Sequence, residues 1–497
     1  MVTHFVFLSA ALPWLNPFSF GPTAATEPLL FSGFCAAVLI GVLGATSARR
    51  TGDKLMSAVA LAWIFAAVFS SVLGLLQYVG GTASFGPWIN ATQLGEAYAN
   101  LRQRNQFASL TNIGLLTLIW WSVQTRVTGI GLGLVWPIVT ALLLGAGNAA
   151  SSSRTGLVQL VLIALLIMVW GRLKQPSVRR VVCAAGTGYV LALVALPWLI
   201  GGDPSTSGAV ARLQAGDSQC SSRLTLWGNV LHLITEKPWL GWGWGELDYA
   251  HFITLYPGAR FCAILDNAHN LPLHLAVELG VPVALLICGS ALWLAWRAKP
   301  WREKDATRQL AWGVLAVILL HSMLEFPLWY GPFQMAFGLC LWMLWRTRAG
   351  TVRCASSEYV GAKPWMRVGT ALTAVAIMAA IAYAAWDYRR VSQIYLTPAA
   401  RSAAYRDDTL TKIKNSWLFQ NQVRFAELTT TPVTAENAPR MYAMALQLLH
   451  FSPEPSVIEK LIESALLMGK ETEAQFYIKR YRAAFPDQSM RRFDVLI

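Results

Sequence analysis

The sequence predicts an all-α, polytopic membrane protein. It should cross the bilayer about eleven times (ten to thirteen), carry one large external loop with amphipathic helices, and end in a small external α-helical domain. Three observations predict this. Of the 497 residues, 55% are hydrophobic and 13% charged, roughly half the charge of an ordinary soluble domain. Apolar runs of about 20 residues, the length that spans a bilayer, recur along most of the chain. Lysine and arginine collect in alternate short connections between those runs, the pattern that fixes orientation in a membrane. The net charge of +14 would suggest nucleic acid in a soluble chain; here the topological distribution accounts for it, and no nucleic-acid partner is expected.

The runs lie near 4–20, 29–48, 55–79, 106–123, 128–148, 156–171, 181–201, 271–296, 309–327, 331–346 and 367–386. The first is interrupted by Pro13, Asn16 and Pro17 and has no basic stretch before it, so it reads as a retained helix rather than a cleaved leader. The sixth and tenth are short. One set of connections holds Arg49, Arg50 and Lys54, then Arg126, then Arg172, Lys174, Arg179 and Arg180, then Arg297, Lys299, Arg302, Lys304 and Arg308, and then Arg346, Arg348, Arg353, Lys363 and Arg367. That side is cytoplasmic, which places the N-terminus inside and the chain after Trp386 outside. The external side holds Arg102, Arg104, Arg154, Arg212, Arg223, Lys237 and Arg260. Topology does not need them, so something else keeps them there. The chain therefore divides into N-terminal transmembrane helices (1–201), a large external loop (202–270), C-terminal transmembrane helices (271–386) and an external helical domain (387–497).

Within the loop, Leu224, Trp227, Leu231 and Ile234 recur at helical spacing, with Thr225, Asn229, His232 and Glu236 opposite. The pattern predicts an amphipathic helix in the membrane interface, capped by Ser221 or Ser222 and ended by Pro238. WLGWGWG at 239–245 predicts a Trp-rich turn. In the tail, 436–451 and 456–484 are amphipathic, and Ala465, Leu466, Gly469, Ala474, Tyr477 and Pro486 suggest a tetratricopeptide-style helix pair. Cys35, Cys183, Cys288 and Cys340 fall in predicted spans and Cys354 in a cytoplasmic connection. Cys220 and Cys262 fall in the external loop. They are either two unrelated thiols or a disulfide closing a loop of about 40 residues, worth ~4 kcal/mol by chain entropy.

The residues able to do chemistry cluster at the external ends of helices. Arg154 lies among small residues in NAASSSRTG, Arg223 opens the loop helix, and Arg102 and Arg104 precede the fourth span. An arginine fork binds phosphate through two hydrogen bonds; alternatively each arginine snorkels or meets ordinary lipid headgroups. His269 and Asn270 stand where the loop enters a span. His269 is a candidate general base at neutral pH, and a helix cap is the plainer reading of the pair. His274 reads as a packing residue. His321 and Glu325, one helical turn apart, read as a polar pocket wall or as packing. His232 and His251 read as solvated. Asp266, His269, His274 and Glu278 suit a metal by residue type, but their spacing matches no established motif, and no metal is expected.

QRNQFASLTNIG, SSSRTGLVQL, SRLTLWGNVLHLITEKPWLGWGWGE, DNAHNLPLHLAVELGVP and HSMLEFPLWYG occur in this order. Together they resemble the bacterial O-oligosaccharyltransferases that glycosylate pilins and other exported proteins, within the superfamily of O-antigen ligases and polymerases. The resemblance is sharpest over about 100–335, and the helical tail resembles the C-terminal domain of the protein-glycosylating members. It implies a multi-pass enzyme of the bacterial inner membrane. Such an enzyme transfers a glycan en bloc from undecaprenyl pyrophosphate to a Ser or Thr hydroxyl on the periplasmic face, without metal or cofactor. By motif, His269 matches the essential histidine, and Arg154 and Arg223 match the two essential arginines. Arg104 is a further pyrophosphate candidate, and Asn270, Tyr330, Glu325 and Gln106 are acceptor or pocket candidates. The tyrosine pattern around EFPLWYG varies, and Phe326 stands at a place that holds Tyr elsewhere.

Two other functions remain in view. An O-antigen ligase or polymerase would use the same chemistry on a saccharide acceptor. A lipid-linked glycan transporter would call for midplane charges and internal repeats, whereas the polar residues here gather at the outer surface.

Overall fold

The computed structural model describes residues 2–45, 49–125, 132–203, 219–347 and 364–486. Arg126, Arg212, Arg348, Arg353, Lys363 and Cys354 lie outside them. Among the described residues every regular element is helical. The principal helices up to the tail are α1 (Val2–Leu15), α2 (Thr26–Ala45), α3 (Arg49–Tyr78), α4 (Arg104–Gln124), α5 (Leu132–Ala150), α6 (Arg154–Val169), α7 (Pro176–Leu199), α8 (Arg223–Glu236), α9 (Leu247–Ile253), α10 (Leu271–Leu279), α11 (Val281–Ala298), α12 (Ala306–Ser322), α13 (Gly331–Arg346) and α14 (Pro364–Ser392). The tail adds α15 (Thr409–Ile413), α16 (Gln420–Thr430), α17 (Ala438–Leu449), α18 (Pro455–Leu467) and α19 (Glu471–Ala484).

Among the described residues five helices are long and apolar enough to cross a membrane: Thr26–Gly44, Gly52–Tyr78, Pro176–Leu199, Val281–Arg302 and Arg367–Tyr395. Shorter apolar helices occupy Val2–Leu15, Val135–Ala150 and Arg154–Val169. Apolar side chains stand exposed along them, among them Leu285, Leu286 and Leu292 on α11 and Val368, Leu372 and Val375 on α14. Contiguous exposed apolar surface of this kind belongs against lipid.

The chain forms two compact units. The first comprises residues 1–19, 24–215 and 295–383. Its centre is α4, whose side chains from Gln106 to Trp120 are buried on every face. A helix that carries Ser109, Thr111, Asn112 and Thr117 into such an interior must satisfy their polar atoms locally. Thr111 and Thr117 donate back to the carbonyls of Ala108 and Ile113, each at 2.7 Å. Beside it, α5 and α7 meet backbone to backbone. A Cβ on Gly145 would stand 2.1 Å from the Ala185 carbonyl, and one on Gly188 would stand 2.2 Å from that of Leu142. Small residues at such crossings let helices approach where lipid offers no hydrophobic drive for association.

The second unit comprises residues 20–23, 216–294 and 384–497. Here α8 packs on α10 through Leu226, Val230, Leu233, Leu275 and Val277. Of the predicted apolar face, Ile234 and Trp227 join this packing while Leu224 and Leu231 stand outside it. Leu224 and Leu231 are 80% and 51% exposed, whereas Asn229 is buried. Asn229 can be buried because its amide donates to the Ala259 carbonyl at 2.9 Å and accepts from the Phe261 amide at 2.8 Å. The run predicted at 271–296 is broken into α10 and α11 at Gly280, which has φ 85° and ψ 159°. The cause is the WLGWGWG turn, which straps the end of α10. Trp242 and Gly243 donate to the carbonyls of Val277 and Glu278, and Val281 donates to that of Pro238. A Cβ at Gly241 would stand 2.3 Å from the Glu278 carbonyl, and one at Gly280 would stand 2.2 Å from that of Trp239. In the tail, the segment 456–484 is two helices separated at Gly469, whose φ of 71° ends α18. The tail core of Met441, Leu448, Ile458, Leu461, Ile462 and Tyr481 also takes in Phe252 of α9.

Candidate active site

In the first unit, Arg154 is the first residue of α6, directly after the cap Ser153, whose hydroxyl accepts from the Gly156 amide at 2.9 Å. Ser153 donates in turn to Asn105 Oδ1 at 2.6 Å, and Asn105 donates to Glu325 Oε1 at 3.0 Å. Gln103 donates to the other carboxylate oxygen of Glu325 at 3.2 Å. Glu325 is 7% exposed, so this carboxylate holds the α4 entrance and, through Asn105, the cap behind Arg154. The local backbone is tightly determined: Ser152 and Arg102 both take positive φ, 52° and 60°. Arg104, first residue of α4, is ion-paired with Glu96. Gln106 is 2% exposed, and among the described residues its amide nitrogen has no hydrogen-bond partner. Tyr330 immediately precedes α13 and stacks on Phe326, with ring centroids 5.7 Å apart.

Deeper in the same unit lies a polar network that the sequence reading missed. Gln159 of α6 donates to Ser109 at 2.8 Å and to the Val317 carbonyl at 3.1 Å, and accepts from Asn112 at 3.1 Å. Ser109 also lies 3.0 Å from His321 Nδ1. The signal was present: Asn105, Ser109 and Asn112 recur one helical turn apart on α4 and so share a face.

In the second unit, Arg223 opens α8 after the cap Ser222, whose hydroxyl accepts from the Thr225 amide at 3.1 Å. His269 is half-buried and takes φ 50°, with its amide donating to Asn267 Oδ1 at 2.9 Å. Asn270 caps α10, its side-chain oxygen accepting from the Leu273 amide at 3.1 Å. Two asparagine side chains thus fix the backbone on either side of His269. Trp227 of α8 donates to the Ala268 carbonyl at 3.1 Å, tying the residue before His269 to the helix that Arg223 opens. Cys220 and Cys262 are bonded, their Cα atoms 5.2 Å apart. His274 is buried, 3.5 Å from Glu278. Among the described residues no three His, Cys, Asp or Glu side chains gather so as to hold a metal ion.

His251 corrects the expectation of a solvated residue: it is 2% exposed. Its Nε2 lies 3.2 Å from the Phe261 carbonyl, and its Nδ1 lies 2.8 Å from the Tyr256 hydroxyl. A carbonyl only accepts, so Nε2 carries the proton and Nδ1 accepts from Tyr256. Burial, and then the nearby Arg260 guanidinium, push His251 down to about 3. Burial pushes Asp248 the other way, up to about 7, with Glu246 and Asp266 adding to the rise. Both are therefore neutral over most of the acid range.

The chain matches three described families along its length. Residues 97–121 match the protein glycosylation ligase family, 138–288 the O-antigen ligase family and 309–495 the C-terminal part of the virulence factor membrane-bound polymerases. It is 26% identical over 314 residues to the ComP-specific O-oligosaccharyltransferase of Acinetobacter baylyi, covering 62% of this chain and 55% of that protein. It is 24% identical over 324 residues to the general O-oligosaccharyltransferase of the same organism, covering 63% and 54%. It is 28% identical over 293 residues to the O-antigen ligase of Pseudomonas aeruginosa, covering 58% and 60%. The matched part thus spans little more than half the length of these relatives.

Proposed function

We propose that this chain, which resembles the O-antigen ligases and O-oligosaccharyltransferases, transfers an oligosaccharide en bloc from undecaprenyl pyrophosphate to a Ser or Thr hydroxyl of an exported protein such as pilin. In this reading the apolar segments cross the inner membrane about eleven times. The loop, the tail and the reacting residues face the periplasm. The paired tail helices, tetratricopeptide-like in pattern, dock the acceptor.

One observation carries the reading: each of the three principal site residues stands at the N-terminus of a helix. Arg154 and Arg223 are first residues behind serine caps, and His269 directly precedes the cap Asn270. Helix N-termini attract anions, and an arginine there adds a two-pronged donor. Such sites suit the pyrophosphate of a lipid donor. His269 takes the proton as the acceptor oxygen bonds to the anomeric carbon. The anomeric carbon's bond to the pyrophosphate oxygen breaks, and its electron pair leaves with the pyrophosphate, where Arg154 and Arg223 stabilise the growing charge. Direct displacement inverts the anomeric configuration.

The test is an in vitro assay of the purified protein with lipid-linked glycan and, separately, a pilin-like protein and lipid A core. Glycan on the protein acceptor supports the reading; glycan on lipid A core alone replaces it with saccharide ligation. The second outcome is favoured by the O-antigen ligase relative, which is the most identical of the three at 28%.

A further inference from the structure

We propose that the turn Lys414–Leu418 is a membrane anchor that docks the start of the tail on the lipid headgroup layer. The helix α14 carries an uncharged run from Val368 to Trp386, and Asp387 is the first charged residue after it. Asp387 is fully buried. Its Oδ2 accepts from the Ser416 hydroxyl at 2.9 Å and from the backbone amides of Trp417 and Leu418 at 3.2 and 3.1 Å. This ties the turn to the helix one residue beyond the end of its apolar run, which sets the turn at the depth where a bilayer passes from acyl chain to headgroup. Ser416 also accepts from the Phe419 amide at 3.1 Å, and Phe419 packs on Tyr388 with ring centroids 5.0 Å apart. The turn is therefore rigid, and yet it holds its largest side chain outward.

Trp417 is 76% exposed, Leu418 43% and Trp386 53%. Lone exposed apolar residues are common and mean little. Here a buried carboxylate ties the backbone of Trp417 and Leu418 to the helix residue next to the exposed Trp386, beside the exposed Lys412 and Lys414. Tryptophan at the acyl–headgroup boundary with lysine reaching the phosphates is the composition of an interfacial anchor. The occupant is thus a phospholipid surface, preferably anionic. The inference needs α14 to cross the bilayer and does not depend on the reaction proposed for the protein.

The experiment is photocrosslinking of the full-length protein in phosphatidylethanolamine–phosphatidylglycerol nanodiscs. The photoreactive residue p-benzoylphenylalanine is placed in turn at positions 417, 375 and 471, with radiolabelled phospholipid as the reporter. Position 375 lies on the exposed face of α14 and 471 at the exposed start of α19. Lipid capture at 417 comparable to that at 375, with none at 471, is expected. Asp387→Ala, which frees the turn, should abolish capture at 417 and leave 375 unchanged. Capture at 417 no greater than at 471, or capture of a second copy of the chain in place of lipid, overturns the anchor. Undiminished capture at 417 in Asp387→Ala overturns the role of the clamp.

Discussion

Arg154 and Arg223 occupy the same local setting in different units of the protein. Each is the first residue of its helix, each follows a serine, and each serine hydroxyl accepts from the amide two residues beyond the arginine, Gly156 in one case and Thr225 in the other. The serine satisfies one of the unpaired amides of the first turn, so the cap does not depend on the arginine side chain. Alanine at either position should keep the helix and its cap but lower glycan transfer on the order of 100- to 1000-fold. Lysine keeps the charge and loses the fork, so Arg154→Lys and Arg223→Lys should also fall well below the parent enzyme. Initial transfer rates with purified protein and lipid-linked glycan check this. Lysine variants with parental rates would reduce the arginines to point charges.

If His269 is the base of the proposed reaction, its substitution should separate stability from activity. Its φ of 50° is a conformation that costs a side-chain-bearing residue about 1 kcal/mol or more. Glycine adopts it freely. His269→Gly should therefore match or exceed the parent in thermal stability while losing transfer. A variant that melts at a lower temperature would show that the imidazole holds the loop rather than serving the reaction.

The WLGWGWG strap predicts two costly substitutions. Gly280 sits at φ 85°, ψ 159°, a region that glycine almost alone occupies, and Gly241 takes φ 70° against the Glu278 carbonyl. Alanine at either position should destabilise the protein by more than about 1–3 kcal/mol. Thermal unfolding in detergent is the measurement, with Gly258→Ala, where a Cβ meets nothing within 4 Å, as the control that should stay near the parent.

The Cys220–Cys262 bond closes a separation of 42 residues, worth about 4 kcal/mol in the chain-entropy account. Mass spectrometry of unreduced digests should recover the two peptides joined, and reduction should lower the melting temperature. Both cysteines recovered as free thiols would remove the bridge.

Asp248 and His251 give the second unit a pH signature. For Asp248 the folded value is raised from 3.8 to about 7, so its contribution to stability is full below pH 3.8 and is lost as pH rises through 7. For His251 the folded value is lowered from 6.5 to about 3, so its contribution is full above pH 6.5 and is lost as pH falls through 3. Between about pH 4 and 6.5 the two oppose each other. Asp248→Asn removes the falling part, so its stability relative to the parent should rise with pH across that window. His251→Phe should show the reverse trend. Denaturant unfolding at several pH values reads both differences.

Much of this protein is legible in the sequence because membrane solvation acts residue by residue. The apolar runs fall largely on helices, Arg104, Arg154 and Arg223 fall at helix starts, and Asn270 caps as its residue type suggests. What tertiary structure alone decided depends on partners distant in the chain. The break at Gly280 exists because Pro238 and Trp239 pack on it. The burial of Asn229 rests on Ala259 and Phe261, 30 and 32 positions away. The link from Glu325 to Ser153 runs through Asn105 across well over a hundred positions. A polar residue's environment is set by whichever donors and acceptors folding brings to it, and neither periodicity nor hydropathy along one segment encodes that.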